Sequence, residues 1–100
     1  MAVIMEQVMP EGVSLQMLDQ VTDEMKADAD PPEGLLFHVH FEQDGQTRIV
    51  DVWDSQEAYE QFREGRLMPA MQTVMQQQGT EQPPEPDTSI TAVHRVVRGR

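Results

Sequence analysis

Two alternating runs meet at a tight turn in the middle of the chain, and that hairpin limits what the rest can become. LLFHVHFEQ, residues 35–43, puts Leu35, Phe37, Val39 and Phe41 on one side and Leu36, His38, His40 and Glu42 on the other, the two-residue period of an extended strand. Asp44-Gly45 follows, a pair suited to a type I′ turn because both central residues need positive φ. Thr47 to Trp53 then returns. With Asp44-Gly45 as the loop, Gln43 faces Gln46, and the ladder pairs Phe41 with Arg48, His40 with Ile49, Val39 with Val50, His38 with Asp51, Phe37 with Val52 and Leu36 with Trp53. A four-residue loop would leave this register unchanged, whereas a three- or five-residue loop would shift it.

Around the hairpin the remaining segments fall into order. Ala2 to Val8 reads as a strand, broken by Pro10-Glu11-Gly12. Ser14 can cap a helix with a stripe of Leu15, Leu18, Val21 or Thr22, and Met25, at helical spacing. Residues 28–34, with two prolines, read as a loop. Asp54 and Glu57 have capping-box spacing and open a second helix running to about Arg63. Gly65 interrupts it, and Pro69 suits the first turn of a further helix with a stripe of Leu67, Met71, Val74 and Met75. The proline-rich stretch 79–88 is a connection, and Ser89 to Val97 is the last strand. The order β-α-β-β-α-β predicts an α+β, ferredoxin-like fold over residues 1–100 as one domain, with a four-stranded antiparallel sheet and helices on one face.

That arrangement leaves one sheet face in need of a cover. The continuous apolar face of Phe37, Val39, Phe41, Val50 and Val52 is the expected seat of the helices, which leaves Leu36, His38, His40, Ile49, Asp51 and Trp53 on the other. Exposing a large apolar side chain forgoes roughly 1.5–3 kcal/mol. A second copy of the sheet packed face to face would remove that loss and make a dimeric α/β barrel, so a homodimer is expected. The alternative is a monomer covered by segment 79–88, which has no large apolar residue.

Charge and composition exclude several partners. The formal net charge is −11 and the sequence pI about 4.4, which repels phosphate backbones. Arg95, Arg98 and Arg100 offer the one basic cluster, and the paired surface aromatics of an RNA-binding βαββαβ module are missing. Neither nucleic acid nor membrane is expected as a partner. No apolar run approaches the roughly 18 residues that would span a bilayer, and no basic leader precedes an apolar stretch. Cysteine is absent, so disulfides and thiolate sites are excluded; a cytoplasmic protein fits.

His38 opposite Asp51 is the sharpest constellation. A carboxylate across the ladder can fix the imidazole tautomer and so prepare a general base or acid; it can equally just satisfy two polar groups. His38 and His40 form an HxH pair, to which His94 or Glu42 could add a third metal ligand, although the cupins that use such pairs need many more strands; no metal is assigned. Trp53 could stack on a planar ligand, with His40 and His94 as further substrate-binding candidates, or could be core. Met5, Met68, Met71 and Met75 could line an adaptable cavity or simply pack. Acidic helix positions, Asp19 among them, read as solvated surface.

The run IVDVWDSQEAYEQF, residues 49–62, resembles the strand-to-helix junction of antibiotic-biosynthesis-monooxygenase-like proteins of the dimeric α/β-barrel group. The resemblance implies a small homodimer and, in part of the group, cofactor-free oxygenation of polycyclic phenols. A haem-degrading branch shares the junction, but its tryptophan and histidine would fall at Phe62 and Gln72 of this chain, so haem cleavage is not expected. The resulting expectation is an enzyme that needs no cofactor and acts on a small planar apolar metabolite, His38 with Asp51 moving a proton and Trp53 holding the ring. The competing expectation is a non-catalytic dimer that binds a ligand or another protein.

Overall fold

The computed structural model describes residues 1–79 and 85–100. Four strands, β1 (Val3–Val8), β2 (Leu35–Gln43), β3 (Gln46–Trp53) and β4 (Asp87–Ala92), form one sheet in the order β2-β3-β1-β4, with all neighbours antiparallel. Helix α1 (Leu15–Met25) connects β1 to β2, while α2 (Gln56–Phe62) and α3 (Met68–Gln78) lie between β3 and β4. This is the ferredoxin-like βαββαβ topology. Of the 79–88 connection, residues 80–84 fall outside those described. The last strand ends at Ala92 rather than Val97, although Val93 N–H still donates to Ala2 O at 2.8 Å.

The hairpin turns as the Asp-Gly pair requires: Asp44 and Gly45 have φ of 54° and 77°. The ladder from Phe37–Val52 to Gln43–Gln46 has the expected pairs. At the far end it departs: a bulge at Leu36 makes Leu35 the partner of Trp53 and swaps Leu35 onto the Trp53 side. Gly34 enters this bulge at φ 83°, and its carbonyl accepts from Asp54 N–H at 2.8 Å. A Cβ on Gly34 would lie 2.6 Å from Ala58 Cβ, so only glycine lets the chain pass this close to the start of α2.

The helices sit on the opposite face from the one expected. They lie on the side of His38, Asp51 and Trp53, bury Asp51 and Trp53, and leave Phe37, Val39 and Phe41 exposed by 47 %, 38 % and 36 %. Phe37, Val39, Phe41, Val50 and Val52 do form one face with Ile4; no helix covers it, although Ile4, Val50 and Val52 are half-buried and Val93, Val96 and Val97 lie beside its edge. The reason is that the hairpin does not decide the helix seat alone. β1 contributes Val3 and Met5 to the covered side, where they bury with Trp53 and Tyr59, and a side chain as large as tryptophan gains most from that enclosure.

Ser14 caps α1 by accepting from Met17 N–H at 3.1 Å. Ser55, not Asp54, caps α2, accepting from Ala58 N–H at 3.1 Å. Gly65 does not break the helix either. Arg63–Leu67 form a π-helical turn, in which Met68 N–H reaches back to Arg63 O, and the path continues into α3. A proline ring clashes with the carbonyl four residues before it; for Pro69 that residue is Gly65, and the wider π turn relieves the crowding. Within this turn Arg66 donates to Met25 O and Asp30 O, both at 2.8 Å, and so ties α2–α3 to the end of α1. Val21, Ala70 and Val74 bury between α1 and α3.

Candidate functional site

Asp51 lies in the middle of β3, flanked by Met5 on β1 and His38 on β2. Its side chain is 6 % exposed, and a buried carboxylate is tolerable only when it is hydrogen-bonded. His38 Nδ1–H donates to Asp51 Oδ1 at 2.5 Å, and Trp53 Nε1–H donates to Oδ2 at 3.2 Å. Alternation along β3 puts Asp51 and Trp53 on the same side, so the tryptophan orients the carboxylate that orients the histidine.

The chain of contacts continues outward. His38 Nε2 lies 2.9 Å from His40 Nδ1, and His40 Nε2 lies 2.7 Å from Asp19 Oδ1 on α1. His40, a candidate substrate contact, also links His38 to an acid. Asp19, which read as solvated surface, is the residue that sequence reasoning missed. Its spacing carries a weak signal: Leu15, Leu18 and Val21 place the sheet-facing side of α1, and Asp19 borders that side.

Beside these groups a cavity of about 270 Å³ opens between helices and sheet. Met5, Leu18, Val21, Met25, Phe62 and Leu67 supply apolar walls, and His38, His40 and Asp51 are its polar edge. Ligand pockets typically run to roughly 300–1,000 Å³, so this one suits a compact molecule. Of the methionines, Met5 and Met25 line it, whereas Met75 is packed in the core. Trp53 borders the cavity, yet its side chain is fully buried, 5.0 Å from Phe62 and 5.8 Å from Tyr59 between ring centres.

His94 is not brought to the site: it lies exposed beyond β4, beside Met1, Ala2 and Arg95. Glu42 is likewise exposed near the turn. The ring nitrogens of His38 and His40 are all engaged with carboxylates or each other, and no three metal-ligating side chains converge among the described residues.

Burial pushes the Tyr59 phenol above the ordinary 10.0; Arg63 pulls it down, while Asp51 and Glu60 raise it further. A phenol that stays protonated in the fold after it has ionised in the unfolded chain stabilises the protein below about pH 10 and loses that contribution as pH rises through the folded value. Urea midpoints are therefore expected to fall more steeply above about pH 10 in the wild type than in Tyr59→Phe; parallel curves would remove Tyr59 as the cause.

No family model matches the chain, and no curated protein does. Solved structures do. A variant of SnoaB, a cofactor-independent oxygenase from Streptomyces nogalater, superposes with a TM-score of 0.59 at 9% identity, covering 98% of this chain and 97% of that one. A candidate antibiotic biosynthesis monooxygenase from Deinococcus radiodurans gives 0.59 at 13%, covering 100% and 99%. A dimeric ferredoxin-like protein from Thermobifida fusca gives 0.58 at 10%, covering 93% and 92%. A variant of MhuD with manganese protoporphyrin IX bound is similar at 0.59 and 17%, covering 99% and 100%. The chain thus has the fold of antibiotic-biosynthesis-monooxygenase-like, dimeric ferredoxin-like proteins over nearly its full length. Among its described residues, no helix is long and apolar enough to cross a membrane.

Proposed function

We propose that this chain, built on the fold that SnoaB also uses, is a homodimeric, cofactor-independent enzyme that removes a proton from a compact, planar, largely apolar phenol or enol. The observation that carries the reading is the contact between buried Asp51 and the partly exposed His38, 2.5 Å apart, at the edge of an apolar cavity. Asp51 fixes His38 with Nδ1–H inward, which makes Nε2 the atom that takes the proton once its contact with His40 Nδ1 opens. The apolar walls favour a ring system, and an oxyanion formed there faces the imidazolium that has received its proton. If dioxygen is the second substrate, the deprotonated ring supplies the electrons.

The fold relative with bound porphyrin does not extend that ligand to this chain, because the position where the haem-degrading branch carries its histidine is Gln72, exposed on α3. Homodimer formation rests on the apolar face that no helix covers and on the dimeric relative from Thermobifida fusca.

The test is a panel of one- to three-ring phenols and enolisable ketones, followed by exchange of the acidic hydrogen for deuterium and by oxygen consumption. His38→Gln is expected to lower turnover by about 10²–10⁴-fold, the usual contribution of a positioned base, with the dimer intact. An equally active His38→Gln protein would refute the assignment. Tight binding of panel members without turnover would favour the non-catalytic ligand-binding dimer.

A further inference from the structure

Three contacts in a row, Asp51–His38, His38–His40 and His40–Asp19, each join nitrogen to nitrogen or nitrogen to carboxylate oxygen. Each needs one hydrogen between its two atoms. Two ionised carboxylates and two neutral imidazoles supply two hydrogens. Three contacts made at once therefore require one proton more than the four groups carry in that state. Without this third proton, two lone pairs would face each other across one contact, and that contact must open.

We propose that Asp51–His38–His40–Asp19 is a proton-exit relay, loaded in this structure, which passes a proton from the cavity to solvent. The inference rests on the acid/base reading above and assigns its exit. In the unloaded chain a ligand hydroxyl occupies the gap beside His38 Nε2. Its O–H bond breaks, an N–H bond forms at Nε2, and the ligand keeps the electron pair as an oxyanion. The proton on His38 Nε2 then moves to His40 Nδ1 while the proton on His40 Nε2 moves to Asp19 Oδ1, and from there to water. Exchange of the His40 ring hydrogens with solvent restores the first tautomer.

The direction follows from exposure. The Asp51 carboxylate is 6 % exposed and the Asp19 carboxylate 64 %, with His38 at 32 % and His40 at 19 % between them, so of the two acid ends Asp19 is the one that meets bulk water. Both Asp51 oxygens are also engaged, the second accepting from Trp53; Asp51 anchors the relay. By this account His40 and Asp19 are positioning residues that act through His38.

The experiment uses the intact, ligand-free protein labelled with ¹⁵N-histidine, so its outcome does not depend on finding a substrate. A scalar coupling between His38 Nε2 and His40 Nδ1 across a shared hydrogen is expected, and its absence overturns the relay. Exchange of the His38 ring hydrogens with water is then measured in Asp19→Asn, an exposed position where folding is not at risk. An exit group predicts slower exchange, by about a hundredfold, the lower end of what a positioned proton-transfer group contributes. A merely structural tether predicts the reverse, because its loss loosens the chain; unchanged or faster exchange overturns the proposal. If coupling and slow exchange are found while the phenol panel stays inert, the proposed reaction fails and the relay stands.

Discussion

A Trp53→Ala chain is expected to lose about 3–5 kcal/mol of stability, the usual cost of emptying a buried aromatic site. Domains of this kind are stable by only about 5–15 kcal/mol, so the variant should be largely unfolded at modest urea. Two effects add. The indole fills the centre of the Val3, Met5 and Tyr59 cluster and is itself fully buried. Its N–H also satisfies one oxygen of Asp51, and truncation leaves that buried oxygen short of a partner. Trp53→Phe separates them by keeping most of the packing and removing only the N–H. Urea unfolding of both variants checks the assignment; an alanine variant within about 1 kcal/mol of wild type would show that Trp53 is not the keystone of this core.

Val39→Lys is expected to convert a dimer of 11.4 kDa chains to the monomer while leaving each chain folded. Val39 is already 38 % exposed in the lone chain and pairs with Val50 on the face that no helix covers. Lysine there keeps its ammonium in water so long as the face is free. In a face-to-face dimer each copy would bury an unpaired charge, at a cost on the order of several kcal/mol per ion. Sedimentation equilibrium of wild type and variant reads the outcome directly. A monomeric wild type, or a variant that keeps the dimer mass, would remove this face as the interface.

How much of this was legible in the sequence can be argued element by element. Asp44-Gly45 disclosed the hairpin because two consecutive positive φ values suit few other pairs, and that turn fixed His38 opposite Asp51. The helix seat was not legible, because hydrophobicity along the hairpin favours Phe37, Val39 and Phe41. What decides it is Trp53 together with Val3 and Met5 from a strand far away in sequence. The bulge at Leu36 was hidden too, since it depends on Gly34 passing close to Ala58. Gly65 and Pro69 read as a break when each was taken alone. Four residues apart they define a π turn, and only the pair carries that information. Asp19 looks like any solvated acid until α1 is laid over the strand that bears His40.

Arg66 adds a mechanical consequence. Its guanidinium grips the carbonyls of Met25 and Asp30 from the π turn that also carries Leu67, while Met25, Asp28 and Leu67 border the cavity. The far rim of the chamber is therefore braced by one side chain. Loss of that arginine would free the end of α1, the loop after it and the π turn from one another at once.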